Sequence, residues 1–97
     1  MEYFATFGIN GGVSHGFGIK YPDYFERTEN IIADNHEIAF NNAMKYAKKL
    51  ADDHLSDPET GLTRVRLLNL IGPERKVEFD REKAVVETTM LEHLLRL

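Results

Sequence analysis

A cluster of glycines near the N-terminus constrains this chain more than any other feature. Glycine tolerates positive φ and close approach by other backbone, so such a cluster is typical of a tight hairpin or of a ligand-binding turn. Five of the seven glycines follow a strand-like run from Tyr3 to Phe7: Gly8, Gly11, Gly12, Gly16 and Gly18. The first question is therefore whether their spacing matches a phosphate-binding loop.

The spacing matches neither of two common phosphate-binding motifs. A Walker loop needs lysine directly after its last glycine, but Phe17 follows Gly16 in this chain. A dinucleotide-binding turn needs a third glycine that opens a helix, and Tyr21 stands at that position. We therefore interpret the cluster as a β-hairpin turn at Asn10-Gly11-Gly12 and predict no cofactor.

Length and composition favour one small domain. The 97 residues suffice for a single core, and 42% hydrophobic with 29% charged residues is typical of a globular chain. The absence of cysteine excludes disulfides and cysteine-based metal or nucleophilic sites. No apolar run has the length of a membrane span, and the net charge of -4 disfavours direct binding to nucleic acid. We expect one cytoplasmic domain over residues 1–97, without membrane association.

Hydrophobic alternation predicts four to five strands. The first, Tyr3 to Ile9, places Tyr3, Ala5, Phe7 and Ile9 on one face and Phe4 and Thr6 on the other. Aromatics on both faces are typical of a central strand, or of one covered by a helix on one side and by another element on the other. A return strand is expected from Gly16 to Tyr21, a loop or bulge from Tyr21 to Phe25 around Pro22, and a short third strand from Thr28 to Ala33. Two later strands are predicted: Leu62 to Ile71, with Thr63, Val65, Leu67, Asn69 and Ile71 on one face, and a short strand with Val77 and Phe79.

Helical spacing predicts two helices. Asp34 is the expected N-cap of the first, with Glu37 completing a capping box. Its apolar stripe contains Ala39, Phe40, Ala43, Met44, Ala47, Leu50 and Ala51. A second helix is expected from a cap at Asp80, with a stripe of Ala84, Val85, Thr88, Leu91, Leu94 and Leu95. The order β-β-(β)-α-β-β-α defines an α+β fold, in which an antiparallel sheet of four to five strands packs against two helices.

The chain lacks a recognisable catalytic or metal-binding constellation. None of the four histidines stands at a spacing at which two would share a helix face. His54 lies among acidic residues, but an acidic helix end that continues into a polar loop accounts for that. Ser14 and His15 are adjacent in an extended segment and point to opposite faces. We therefore predict a protein that is not an enzyme and binds no metal.

Three features suit protein binding better than catalysis. Aromatics in a loop around Pro22 are typical of interfaces, although folding back onto the core is equally compatible with them. An acidic surface could mimic nucleic acid towards a complex that normally holds it. The leucines of the C-terminal helix either complete the core or form a homodimer face. The predicted binding residues are Tyr21, Tyr24, Phe25, Asp52, Asp53, Asp57 and Glu59.

The first half of the chain resembles small accessory proteins encoded by bacteriophages. The resemblance lies in three segments: the strand Tyr3-Phe4-Ala5-Thr6-Phe7-Gly8, the glycine turn, and the strand-to-helix junction from Ile31 to Phe40. The resemblance is one of general layout and covers the first half of the chain. It implies a stoichiometric inhibitor that binds a host enzyme or a host defence complex such as a CRISPR effector, in the host cytoplasm. The alternative is a small-ligand binding or sequestering protein that uses the glycine-rich hairpin, as a homodimer.

Overall fold

The computed structural model describes residues 1–16, 19–53, 62–74, 78–89 and 95. Those residues form four strands and one helix, in the order β1 (Glu2–Gly16), β2 (Ile19–Ile32), α1 (His36–Asp53), β3 (Leu62–Ile71) and β4 (Val85–Thr89). Every strand pair is antiparallel, and the strand order in the sheet is β2-β1-β3-β4. The α+β class is confirmed with four strands, and the described residues contain one helix where two were predicted.

Gly8, Gly11, Gly12 and Gly16 lie within β1 instead of at the turn predicted at Asn10-Gly11-Gly12, and Gly18 lies outside the described residues. β1 pairs with β2 as far as Gly16 and Ile19, so the strand pair extends well beyond the predicted turn. The interruption predicted from Tyr21 to Phe25 is absent, because β2 is continuous from Ile19 to Ile32; the bulge lies on β1, where Gly12 has no partner. Proline has no N–H to donate to a ladder and is therefore tolerated only on edge strands and at bulges; β2 is an edge strand of the described sheet, and Pro22 lies beside the bulge. The predicted third strand is therefore the end of β2.

α1 packs on one face of the sheet through a stripe of small side chains. Ala39, Ala43 and Ala47 are fully buried and recur every four residues, so they lie on one side of the helix. Alanine lets the helix approach the sheet closely, where it covers the alternate residues of β1: Tyr3, Ala5, Phe7 and Ile9, all fully buried. The predicted helix stripe is confirmed, and Tyr3, Ala5, Phe7 and Ile9 share one face of the first strand as predicted.

α1 begins one residue later than predicted. The Ile38 amide donates to Oδ1 of Asn35 at 2.9 Å, which makes Asn35 the N-cap in place of Asp34. The Ala39 amide donates to the Asn35 carbonyl, also at 2.9 Å, and closes the first turn. Glu37 is then the second helical residue, one position too early for the predicted capping box.

β3 has the predicted bounds, but its faces differ from the prediction after Leu67. Thr6 pairs with Asn69 and Phe7 pairs with Leu67, so Leu68 is an extra residue in a bulge. A bulge reverses the alternation of side chains beyond it. Leu70 is consequently buried and Ile71 is 44% exposed, which is the opposite of the prediction.

The residues predicted to begin a second helix form β4 instead. Val65 pairs with Val86, and Thr63 pairs with Thr88. Asp80 does accept a hydrogen bond, from the Glu82 amide at 3.0 Å, but the turn it stabilises leads into a strand. β-branched side chains at positions 85, 86, 88 and 89 favour a pleated strand.

The predicted short strand with Val77 and Phe79 is absent at Phe79, which lies in irregular structure, and Val77 lies outside the described residues. Beyond Thr89 only Leu95 is described, and it is helical as predicted; the rest of the predicted C-terminal helix and its homodimer face stay predictions. Within the described part of the chain, no helix has the length and apolar character needed to cross a membrane.

Candidate functional site

Among the described residues, no element packs on the face of the sheet opposite α1, which we call the open face. On β1 this face carries the residues that alternate with the buried ones, beginning with Phe4, which is 49% exposed. The sequence predicted aromatics on both faces of a central strand, and β1 does lie between β2 and β3. α1 covers only one of these faces, and on the other the described residues include partly exposed apolar side chains.

Three neighbouring strands bring large apolar side chains together at one end of the open face. Phe4 on β1 pairs directly with Ile71 on β3. Ile32 on β2 pairs with Glu2, which places Ile32 diagonally across from Phe4. Direct cross-strand neighbours have Cβ atoms about 5 Å apart, and diagonal neighbours about 7–8 Å apart. Phe4, Ile32 and Ile71, exposed by 49%, 68% and 44%, therefore form one surface, which we call the apolar patch.

The open face becomes polar away from the apolar patch. Next to it, the hydroxyl oxygens of Thr6 and Thr28 lie 3.0 Å apart across the β1–β2 pair. On the outer strand β4, Glu87 accepts a hydrogen bond from Nε of Arg64 at 2.7 Å. Apolar side chains bordered by hydroxyl and charged groups have the composition of a protein interface, with an apolar centre and a polar rim.

Tyr24 occupies the far part of the open face, where it lies against Gly8. Its hydroxyl donates to Oε1 of Glu26 at 3.1 Å. That hydrogen bond, with a smaller contribution from burial, raises the pKa of Tyr24. The tyrosine is 56% exposed and keeps its proton at neutral pH, so it offers a partner both an aromatic face and a hydroxyl group.

The predicted binding residues do not form one surface. Tyr24 lies on the open face, whereas Phe25 is the next residue of β2 and points to the side of α1, where it is 37% exposed. Asp53 is exposed at the end of α1, and Asp52 is partly buried. The side chain of Tyr21 and the residues Asp57 and Glu59 lie outside the described part, as do the side chains of the glycine-rich hairpin.

Sequence reasoning missed the apolar patch. The signal for Phe4 was present, since it alternates with Tyr3 and Ala5, but an aromatic on the second face was interpreted as evidence that both faces are covered. Ile71 could not be assigned because the bulge at Leu68 changes its face. Ile32 was placed in a strand without a partner strand, so its face was undetermined.

A shallow cleft of about 390 Å³ lies on the other side of the molecule, between the start of α1 and residues 78–83. Phe40 and Phe79 stack there with ring centroids 5.7 Å apart. His36 places Nε2 at 2.9 Å from the Glu78 carbonyl oxygen, so Nε2 is the protonated nitrogen. Its Nδ1 is buried and has no hydrogen-bond partner among the described residues. Those residues contain no group of three His, Asp or Glu side chains arranged to hold a metal ion.

A charged cluster connects β2 to α1 on the helix side of the sheet. Nε of Arg27 donates to Oε1 of Glu29 at 2.5 Å, and the guanidinium carbon lies 6.0 Å from the ring centroid of Tyr46. The hydrogen bond from Arg27 lowers the pKa of Glu29, whereas burial, followed by the hydrogen bond to Glu29, raises the pKa of Tyr46. The cluster keeps Arg27 and Glu29 charged and close to the outer edge of the sheet.

Comparisons of this chain with protein-family models, with curated proteins and with solved structures found no match.

Proposed function

We propose that this chain is a non-enzymatic, stoichiometric binding protein that docks onto a partner protein through the open face. The observation that carries this proposal is the exposure of Phe4, Ile32 and Ile71 side by side on three adjacent strands. Burial of apolar surface gains roughly 25 cal/mol per Å², so covering these three side chains supplies a strong driving force for association. The surrounding threonine and charged side chains provide the polar rim that makes such a contact specific.

The partner class that we propose is a complex that handles nucleic acid, such as a CRISPR effector, which the chain would inhibit by occupying its surface. Three features support this choice: the net charge of -4, the exposed Asp53 at the end of α1, and the resemblance in layout to phage accessory proteins. An acidic protein is attracted electrostatically to a basic nucleic-acid channel, and this attraction raises the association rate.

A binding assay with matched surface variants tests the docking proposal. The full chain is immobilised and offered a panel of purified CRISPR effectors, and the affinity of each captured effector is measured. Phe4→Ser and Ile71→Ser are expected to weaken binding on the order of tenfold or more, as loss of a central apolar contact does. Ile38→Ser is the control, because Ile38 is 38% exposed but lies on α1.

Binding that survives both patch substitutions, or that falls equally with Ile38→Ser, would contradict docking through the open face. Asp53→Lys tests the electrostatic attraction to the partner separately from the apolar contact. We expect this variant to lower the association rate and its dependence on salt while leaving the dissociation rate nearly unchanged. Circular dichroism of every variant verifies that the fold is retained.

A further inference from the structure

β2 forms an outer edge of the described sheet. Two copies of its segment from Tyr24 to Ile32, placed side by side in antiparallel order, bring complementary side chains opposite each other. We propose that two copies of the chain pair along β2 on a twofold axis at Thr28, so that two four-stranded sheets become one. The occupant of this edge is thus a second copy of the same chain. The inference does not depend on the proposed partner.

The hydrogen bonds of β2 fix which of its backbone groups face outward. Met1 and Ala33 exchange both hydrogen bonds, Ala33 N to Met1 O at 3.0 Å and Met1 N to Ala33 O at 2.8 Å. Residue pairs in an antiparallel ladder alternate between hydrogen-bonded and non-hydrogen-bonded. The odd-numbered residues from Phe25 to Ile31 therefore form main-chain hydrogen bonds with β1. The even-numbered residues, with Thr28 at their centre, therefore present N–H and C=O groups on the edge of β2 that faces away from β1. Two copies centred on Thr28 can form about ten main-chain hydrogen bonds.

Side-chain chemistry matches in this register. Centred on Thr28, the two strands place these residues opposite each other: Arg27 and Glu29, Glu26 and Asn30, Phe25 and Ile31, Tyr24 and Ile32. Each Arg27, which donates to Glu29 of its own chain, thus also faces a Glu29 of the second copy, and this occurs twice around the axis. Aromatic residues face β-branched residues on both sides of the sheet, which is a favourable cross-strand pairing. Tyr24 and Ile32 are exposed by 56% and 68% in the single chain, so pairing covers apolar surface.

Neighbouring registers place like charges together. Residues directly opposite each other in an antiparallel pair point to the same face of the sheet. Both helices therefore lie on one side of the joined sheet only when the twofold axis passes through a residue position and not between two positions. An axis at Arg27 places two arginines opposite each other, and an axis at Glu29 does the same with two glutamates. Directly opposed like charges destabilise a strand pair. Charge therefore selects Thr28 over these two neighbours.

The paired stretch is free of the residues that interrupt strands. No proline or glycine occurs from Tyr24 to Ile32, and Pro22 would lie opposite Asp34 of the second copy, beyond the end of β2. The two open faces would then lie side by side as one continuous surface.

A charge-exchange experiment tests both the dimer and its register. Self-association of the full chain is measured by analytical ultracentrifugation over about a thousandfold range of concentration. Arg27→Glu and Glu29→Arg are each expected to weaken self-association on the order of tenfold or more, because like charges then oppose each other twice per dimer. Mixing the two variants is expected to restore association, since positions 27 and 29 are both acidic in the first variant and both basic in the second. Circular dichroism verifies that each variant is folded.

Cysteine cross-linking provides a second test that does not depend on charge. The chain has no cysteine, so Thr28→Cys introduces one thiol on the proposed axis. Opposed Cα atoms in a hydrogen-bonded pair lie about 5.5 Å apart, within disulfide range. Asn30→Cys is the matched control, because the two thiol positions would be separated by about 13 Å along the strand. Mild oxidation should cross-link Thr28→Cys and leave Asn30→Cys largely unlinked.

A chain that stays monomeric at every concentration would overturn the proposal. Dimers that withstand both charge substitutions, a mixture that fails to associate, or equal cross-linking at positions 28 and 30 would overturn it as well. These experiments measure self-association alone, so their failure leaves docking through the apolar patch untouched.

Discussion

The hydroxyl group of Tyr24 lies directly over Gly8 on the neighbouring strand, where a Cβ atom would come within 2.8 Å of it. Gly72 has a similar relation to Tyr3, because a Cβ atom there would overlap the tyrosine ring. The two sites differ in how freely the tyrosine can move. Tyr24 is 56% exposed, whereas Tyr3 is fully buried. The same added methyl group should therefore have unequal effects.

Gly72→Ala is expected to lower the free energy of unfolding by about 1–3 kcal/mol, because the buried Tyr3 ring cannot move without repacking the core. Gly8→Ala should cost less than about 1 kcal/mol, since the exposed end of Tyr24 can rotate away. Urea unfolding of both variants measures the difference. Equal losses at the two positions would contradict the burial argument.

Local patterns predicted those parts of the fold that depend on one element at a time. The alanine stripe of α1 and the buried face of β1 each follow from a single periodicity, and the bounds of β3 follow from one apolar run. The N-cap was misplaced by one residue because Asp34 and Asn35 are both good caps, and only the position of the first turn decides between them.

The features that were mispredicted depend on pairing between strands. The bulges at Gly12 and Leu68 arise from registers that no local pattern specifies, and the second one reverses the faces of Leu70 and Ile71. The segment before and within β4 satisfies helical spacing as well as strand alternation, and pairing with β3 determines the outcome. Of the candidate site, the sequence identified Tyr24, whereas Phe4, Ile32 and Ile71 become neighbours only through this pairing.

Alkaline pH should destabilise the fold partly through Tyr3. Burial, followed by the hydrogen bond that its hydroxyl donates to Glu74, raises the pKa of Tyr3 to about 12. In the unfolded chain Tyr3 has the ordinary tyrosine pKa of about 10. The stability that the protonated Tyr3 contributes to the folded state is therefore complete below pH of about 10 and is lost as the pH rises towards about 12. Tyr3→Phe removes the titrating group, and its melting temperature should fall less steeply across this range than that of the wild type.

Thermal unfolding followed by circular dichroism at stepped pH values provides the measurement for Tyr3. Glu74→Gln is an informative companion variant, because it removes the carboxylate but leaves Tyr3 buried. Burial is the largest cause of the raised pKa of Tyr3, so most of the shift should remain. We expect its pH dependence to lie between those of the wild type and Tyr3→Phe. Parallel curves for all three proteins would show that Tyr3 does not contribute.

The start of α1 should be more sensitive at Asn35 than at Asp34. Asn35→Ala removes the side-chain acceptor of the Ile38 amide and should cost about 1 kcal/mol of unfolding free energy. Asp34→Ala removes only a charge near the helix N-terminus, which is worth about 0.3–1 kcal/mol at low salt and less when screened. Urea unfolding at moderate salt compares the two variants, and a larger loss for Asp34→Ala would restore Asp34 as the cap.

Arg81 connects the segment before β4 to the bulge in β3. Nη1 of Arg81 donates to the Leu68 carbonyl oxygen at 3.0 Å, and its guanidinium lies 4.3 Å from the ring centroid of Phe79. Leu68 is the extra residue of the β1–β3 register, so this hydrogen bond joins Arg81 to the bulge itself.

Arg81→Met keeps an apolar stem of similar width but removes the donors and the charge, and should cost about 1–2 kcal/mol of unfolding free energy. Arg81→Lys should lose less, because an ammonium group can still lie over Phe79 although it lacks the planar, forked donor geometry. Lys83→Met is the matched control, since Lys83 is exposed in the same turn. Urea unfolding should rank Arg81→Met as the least stable of the three, and a loss equal to that of Lys83→Met would show that the contact between Arg81 and the bulge contributes no stability.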